Sequence, residues 1–186
     1  MPDYLEKIKC YLSDLRKVLD KIPLLELEEI ILVLEKAKND QATVFICGNG
    51  GSWATAAHMV CDFGKNTQVA GSTRMNVIGL GDNIPTLTAY ANDEGYERVF
   101  AEPVISLMKP ADVLIAISGS GNSPTILRAV EAANQIDCIT IGLTGFDGGQ
   151  LKGLADFSLV IPSDSMEIVE DCHMIVDHLL TICLRQ

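Results

Sequence analysis

Basic charge is scarce in this chain. Over 186 residues, 14 Lys and Arg stand against 25 Asp and Glu, a formal net charge of −11. A surface for nucleic acid or an anionic membrane needs a basic patch that displaces counterions, and the few Lys and Arg here are scattered. Both kinds of partner are excluded on that ground. An anionic ligand would also approach against an unfavourable long-range field, so any phosphate has to be gripped by local donors.

Long apolar runs are missing too. No window approaches the ~18 consecutive apolar residues of a membrane helix. The opening MPDYLEKIKC is charged where an export signal needs an apolar stretch. The six cysteines, Cys10, Cys47, Cys61, Cys138, Cys172 and Cys183, form no CxxC pair. That removes the usual signature of a dithiol or thiolate-metal site. Most lie in apolar segments such as VFICG and DCITIGL and read as buried free thiols. These absences predict a cytoplasmic protein. Linkers, repeats and low-complexity segments are absent as well. With 48% apolar and 21% charged residues, the composition is globular rather than disordered. The length predicts one domain over 1–186, large enough to bury a core without staples.

What is present is an alternation of amphipathic stretches and short apolar runs. Leu5, Ile8, Leu12, Leu15, Leu19 and Ile22 recur at spacings of three and four, a helical stripe. A second helix is predicted from about Leu24 to Ala37, with acids early and Lys36 and Lys38 late, as the helix dipole favours, and a break at Asn39-Asp40. Strands are predicted at Thr43–Cys47, Met75–Leu80, Asp112–Ile117, Cys138–Leu143 and Phe157–Ile161. Helices are predicted at Trp53–Phe63, near Pro85–Tyr90 and Tyr96–Leu107, at Pro124–Gln135 and at Met166–Leu184. Pro124 sits at the first helical position, where its missing N–H costs nothing. Alternating strands and helices imply an α/β fold: a three-layer sandwich around a parallel sheet of about five strands. The helical pair in 1–40 precedes an α/β core in 41–186, and its long apolar stripe predicts an oligomer contact.

Two turns in this pattern stand between a strand and a helix. The first is Gly48-Asn49-Gly50-Gly51-Ser52 and the second Ser118-Gly119-Ser120-Gly121-Asn122-Ser123. Both offer backbone N–H groups at a helix N-terminus, which suits an anion, and the serine hydroxyls add neutral donors. No GKS or GKT follows, so neither is a nucleoside-triphosphate loop. A dinucleotide site is disfavoured as well: Trp53 stands where a third glycine belongs, and no acid follows at a strand end about 20 residues on. In open α/β sheets ligands bind beyond the carboxyl ends of the strands. Two such loops at equivalent positions therefore predict a sugar-phosphate cradle.

At this point the chain resembles a known family. CGNGGS, ANDEGYERVF, DVLIAISGSGNSP, TIGLTGFDGG and the His-bearing last helix together resemble the sugar isomerase (SIS) domain, and within it the phosphoheptose isomerases. The resemblance covers nearly the whole chain. It implies a flavodoxin-like SIS fold and a homotetramer with active sites between subunits. It also implies reversible conversion of sedoheptulose 7-phosphate to D-glycero-D-manno-heptose 7-phosphate. The family's substrate contacts fall on Asn49, Gly50, Gly51, Asn92, Asp93, Ser118, Gly119, Ser120 and Ser123, with Ser52 joining them; Asp62 and Glu170 also border the substrate.

His58 and Asp62 are four apart on one predicted helix and share a face. The last helix carries Glu170, Asp171, His173, Asp177 and His178, so all three histidines lie in two acid-bearing helices. Imidazole and carboxylate together suit zinc. The resemblance places one zinc per subunit on His58, Asp62, Glu170 and His178. Asp62 stands where the family usually has Glu, and Glu170 where it has Gln. At 3.6 residues per turn, Glu170 and His178 lie about 80° apart around the helix. Asp171 aligns better with His178 and is the alternative ligand, and His173 reads as structural.

An aldose–ketose isomerase moves a proton between adjacent carbons through a cis-enediol and needs a base at carbon, a group for the oxygen protons and charge stabilisation. The resemblance makes Asp62 the catalytic base and His178 the second acid–base group. Two other readings stand beside this one. One is an isomerase of another sugar phosphate. The other is a non-catalytic SIS module that binds a phosphosugar or a protein, for which His58, Asp62 and His178 together would have no use.

Overall fold

The computed structural model describes residues 3–185; residues 1, 2 and 186 of the predicted span lie outside them. The helical pair comes first, α1 (Tyr4–Leu19) and α2 (Leu24–Asp40). Asp3 caps α1 by accepting the Glu6 N–H at 3.1 Å. Helix α2 runs through the predicted break at Asn39-Asp40. The Lys36 ammonium binds the Asp40 carboxylate one turn on, and Gln41 then ends the helix in the left-handed region at φ 58°.

Five strands follow: β1 (Thr43–Gly48), β2 (Asn76–Gly79), β3 (Val113–Ile117), β4 (Ile139–Thr144) and β5 (Phe157–Val160). Between them run α3 (Gly51–Cys61), α4 (Ile84–Asp93), α5 (Ala101–Leu107), α6 (Pro124–Gln135) and α7 (Leu151–Leu154), and α8 (Met166–Leu184) closes the fold. Helix α7 escapes the sequence pattern because a single turn is too short for any periodicity. The helix predicted at Trp53–Phe63 starts two residues earlier and gives way to a π-helical turn at Asp62–Asn66. The stretch predicted at Tyr96–Leu107 splits into a 3-10 turn at Tyr96–Arg98 and α5.

All strand pairs are parallel, in the order β2-β1-β3-β4-β5. Alternation along each strand divides the core in two. Val44 and Ile46 of β1, with Val113, Ile115 and Ile117 of β3, face the layer of α2, α3 and α8. Phe45 and Cys47, with Leu114 and Ala116, face α5 and α6. All five residues of β3 are fully buried, at roughly 1.5–3 kcal/mol of hydrophobic stabilisation for each large side chain. Asp112 pins the sheet's lower end by accepting the Thr43 and Lys109 N–H groups, both at 2.8 Å.

Two features differ from the sequence reading. Cys47, Cys138 and Cys172 are buried, but Cys10, Cys61 and Cys183 are exposed. The exposed three lie on helices, where an apolar segment still has an outer face. The α1 stripe is also covered only in its second half. Leu15 and Leu19 pack on the core, whereas Tyr4, Leu5, Ile8 and Leu12 stay between 46% and 68% exposed. Among the described residues, no helix is long and apolar enough to cross a membrane.

Candidate active site

In a sheet ordered β2-β1-β3-β4-β5 the chain reverses its direction of winding between β1 and β3. The carboxyl ends of those two strands open a crevice there. Both predicted turns emerge at that place. They line a cavity of about 260 Å³ together with the first turn of α8. The structure gathers Asn49, Gly50, Gly51 and Ser52 from the first loop, and Ser118, Gly119, Ser120 and Ser123 from the second. Glu170 of α8 completes the wall.

The cradle is held by its own polar groups. Gly121 has φ +65°, and a side chain there would strike the Gly148 carbonyl oxygen, so this turn requires glycine. The Ser118 hydroxyl donates to Ser123 at 3.2 Å, and Ser120 Oγ accepts the Asn122 N–H at 3.2 Å. Asn49 is fixed from both sides: its amide donates to Thr125 Oγ1 at 2.6 Å, and its carbonyl oxygen accepts the Tyr96 hydroxyl at 3.0 Å. Tyr96, Glu94 and Thr125 line an adjoining cavity of about 500 Å³ that shares Asn49 and Ser123. Sequence reading missed this partnership, because Tyr96 and Thr125 meet Asn49 only through the fold. Asn92 and Asp93 are not in the cradle. They lie at the exposed end of α4, where the Asn92 amide donates to Asp93 at 2.7 Å.

Farther along α3 and α8 is a second constellation. His58, Asp62, Asp177 and His178 each offer a ligand atom, and these atoms all lie within 4.8 Å of one another. His58 Nε2 stands 3.3 Å from His178 Nε2 and 3.6 Å from Asp62 Oδ2. Asp177 is fully buried, and neither of its carboxylate oxygens meets a hydrogen-bond donor. Burial, and then the neighbouring Asp62 charge, push its carboxyl up to about 7. Three of the four predicted metal ligands thus come together. The fourth, Glu170, does not: its carboxylate reaches across the cradle to Gly51, where a Cβ would lie 2.5 Å from it. Eight residues of α8 separate Glu170 from His178, about 12 Å along the axis at 1.5 Å per residue. Asp177, next to His178, takes the position instead. The alternative ligand Asp171 is likewise elsewhere, accepting the Tyr11 hydroxyl at 2.6 Å. That bond and burial raise the Tyr11 hydroxyl to about 12. His173 is buried with Nε2 3.1 Å from the Thr144 carbonyl oxygen, and burial lowers its pKa to about 4, so it is a neutral structural donor.

The donor set fits a divalent zinc-like ion. Two imidazoles and two carboxylates are ordinary zinc ligands. A tetrahedron built on ~2.0–2.1 Å bonds has edges of roughly 3.3–3.4 Å, close to the 3.3 and 3.6 Å separations found. A cation would also satisfy the orphaned carboxylate of Asp177, which is costly to bury unpaired.

The cradle makes a direct prediction. Ser120→Ala removes a hydroxyl facing the cavity, and a hydrogen bond to a charged group is worth about 1.5–3 kcal/mol. Affinity for inorganic phosphate, measured by calorimetry, should fall at least about tenfold. Unchanged affinity would show that the loop does not hold the anion.

Comparison with known proteins agrees with this geometry. The SIS-domain family model matches residues 3–145. A phosphoheptose isomerase of Helicobacter pylori is 37% identical over 92% of this chain and 88% of its own length. A phosphoheptose isomerase of a Nitratiruptor species is 41% identical over 81% and 79%. The structure of a phosphoheptose isomerase from Francisella tularensis superposes with a TM-score of 0.93 at 27% identity, covering all of both chains. The chain belongs to the SIS-domain family of sugar isomerases, among the phosphoheptose isomerases.

Proposed function

We propose that this protein interconverts sedoheptulose 7-phosphate and D-glycero-D-manno-heptose 7-phosphate through a cis-enediol. The observation that carries this reading is the placement of two sites on the same two helices. Helix α3 begins at the cradle with Gly51 and carries His58 two turns on, about 10 Å along its axis. Helix α8 carries Glu170 at the cradle and Asp177 and His178 at the far end. An open-chain sugar phosphorylated at its last carbon spans that interval. Its phosphate rests on the loops, and its carbonyl and neighbouring carbon reach the His and Asp groups.

In this reading the backbone N–H groups and serine hydroxyls of the two loops bind the phosphate. Asp62 takes the proton from carbon, and His178 carries protons to and from the substrate oxygens. Glu170 accepts hydrogen bonds from sugar hydroxyls at the cradle wall, and Asn92 and Asp93 serve the same hydroxyls. His58, Asp62, Asp177 and His178 would hold one zinc ion per subunit, which when bound supplies Lewis-acid polarisation of the carbonyl. A carboxylate bound to metal is a weaker base, and the second carboxylate, Asp177, lets ligation and proton transfer fall on different side chains. A purely binding module would have no use for this cluster, which favours the enzyme reading.

The whole chain forms one SIS unit in this account. The exposed apolar half of α1 (Tyr4, Leu5, Ile8, Leu12) is the contact through which it forms a homotetramer. The cytoplasm suits its unpaired cysteines.

Two measurements follow. Asp62→Asn should lower turnover by about 10²–10⁴-fold while leaving phosphate affinity intact; near-normal turnover would remove Asp62 from the base role. Light scattering should return the mass of four chains, and Ile8→Asp should lower it; a monomeric wild type would rule out the α1 contact.

A further inference from the structure

The helix that carries His58 does not continue in regular form past Cys61. Residues Asp62–Asn66 make a π-helical turn, with the Thr67 N–H donating to the Asp62 carbonyl five residues back at 3.2 Å. Such turns are rare and concentrate at functional sites. Side chains brace this one. The buried Thr67 hydroxyl donates to the Phe63 carbonyl and the Gln68 amide to that of Gly64, both at 2.6 Å.

The turn brings Asn66 over Asp62. The Asn66 amide donates to Asp62 Oδ1 at 2.6 Å, and the other oxygen, Oδ2, is the one directed at His58. Asn66 is itself held. Its carbonyl accepts Arg185 Nε at 2.7 Å, and the preceding Leu184 carbonyl accepts the Lys38 ammonium at 2.8 Å. The chain end after α8 therefore clasps the π turn, the turn sets Asn66, and Asn66 sets the plane of the Asp62 carboxylate.

We propose that Asn66 is the positioning residue for Asp62: it occupies Oδ1 and so commits Oδ2 to the His58–Asp177–His178 cluster. The inference rests on the metal reading of that cluster. A carboxylate rotates with near two-fold freedom about its last bond. A short Asp side chain has little reach with which to correct a wrong orientation, so its plane has to be set from outside. Partners that orient metal-binding side chains typically account for 10–100-fold in metal affinity.

The test is zinc affinity of the full chain, measured by competition with a chromophoric chelator, together with the visible spectrum of the cobalt(II)-loaded protein. Asn66→Ala should weaken zinc binding by about 10–100-fold and alter the cobalt bands, with phosphate affinity unchanged. Should Asn66→Ala fail to fold, Asn66→Leu keeps the volume without the donor, and the same loss is expected. Lys65→Ala, in the same turn but with its side chain away from Asp62, should bind zinc as the wild type does. Wild-type zinc affinity and an unaltered cobalt spectrum in both Asn66 variants would overturn the proposal while leaving the metal reading in place. A wild-type protein that binds neither ion would overturn both, whereas Asp62→Asn losing zinc beside an intact Asn66 variant would overturn the positioning alone.

Discussion

A dianionic phosphate has to be held by a protein of strongly negative charge that offers no lysine or arginine at the binding loops. Everything around the site answers that constraint. Neutral donors have to replace basic side chains, and they are abundant only where helices begin. A parallel sheet ordered β2-β1-β3-β4-β5 brings two helix starts side by side, because adjacent strands β1 and β3 both end at the same crevice. The full burial of β3 between two hydrophobic layers makes that crevice rigid. The small residues of both loops then let the backbone close around the ligand.

The second site depends on the first through rigid rods. Helices α3 and α8 leave the cradle together and carry His58, Asp62, Asp177 and His178 to one point. The distance between phosphate and reacting carbons is thus set by helix rise rather than by a mobile loop. That arrangement selects chain length in the substrate. It also explains why a buried, unpartnered carboxylate such as Asp177 persists in a well-packed interior. Its cost is offset if a cation binds there, and the geometry of its three neighbours suits one.

Much of this was legible in the residues themselves. Apolar runs bounded by glycine and serine located all five strands to within about a residue. Proline at the start of one helix and continuous apolar periodicity in the last located α6 and α8 at their observed bounds. Both loops could be read because their glycines and serines are local. Asp177 could not, since on a helical projection it faces away from His178 and only the fold shows that both reach His58. The π turn was hidden because i+5 bonding leaves no distinct residue period. The Tyr96–Asn49–Thr125 bridge was hidden because its partners are far apart in sequence. Glu170 was misplaced among the metal ligands, because the resemblance gave a residue type and position but not its direction across the cradle.

The central claim is that cradle and cluster form one active site for a phosphorylated ketose. The most direct test follows sedoheptulose 7-phosphate by proton NMR with the protein, once after chelation and once with zinc restored. The account predicts aldose heptose 7-phosphate appearing with zinc and suppressed by the chelator. Absence of the aldose under both conditions would contradict it.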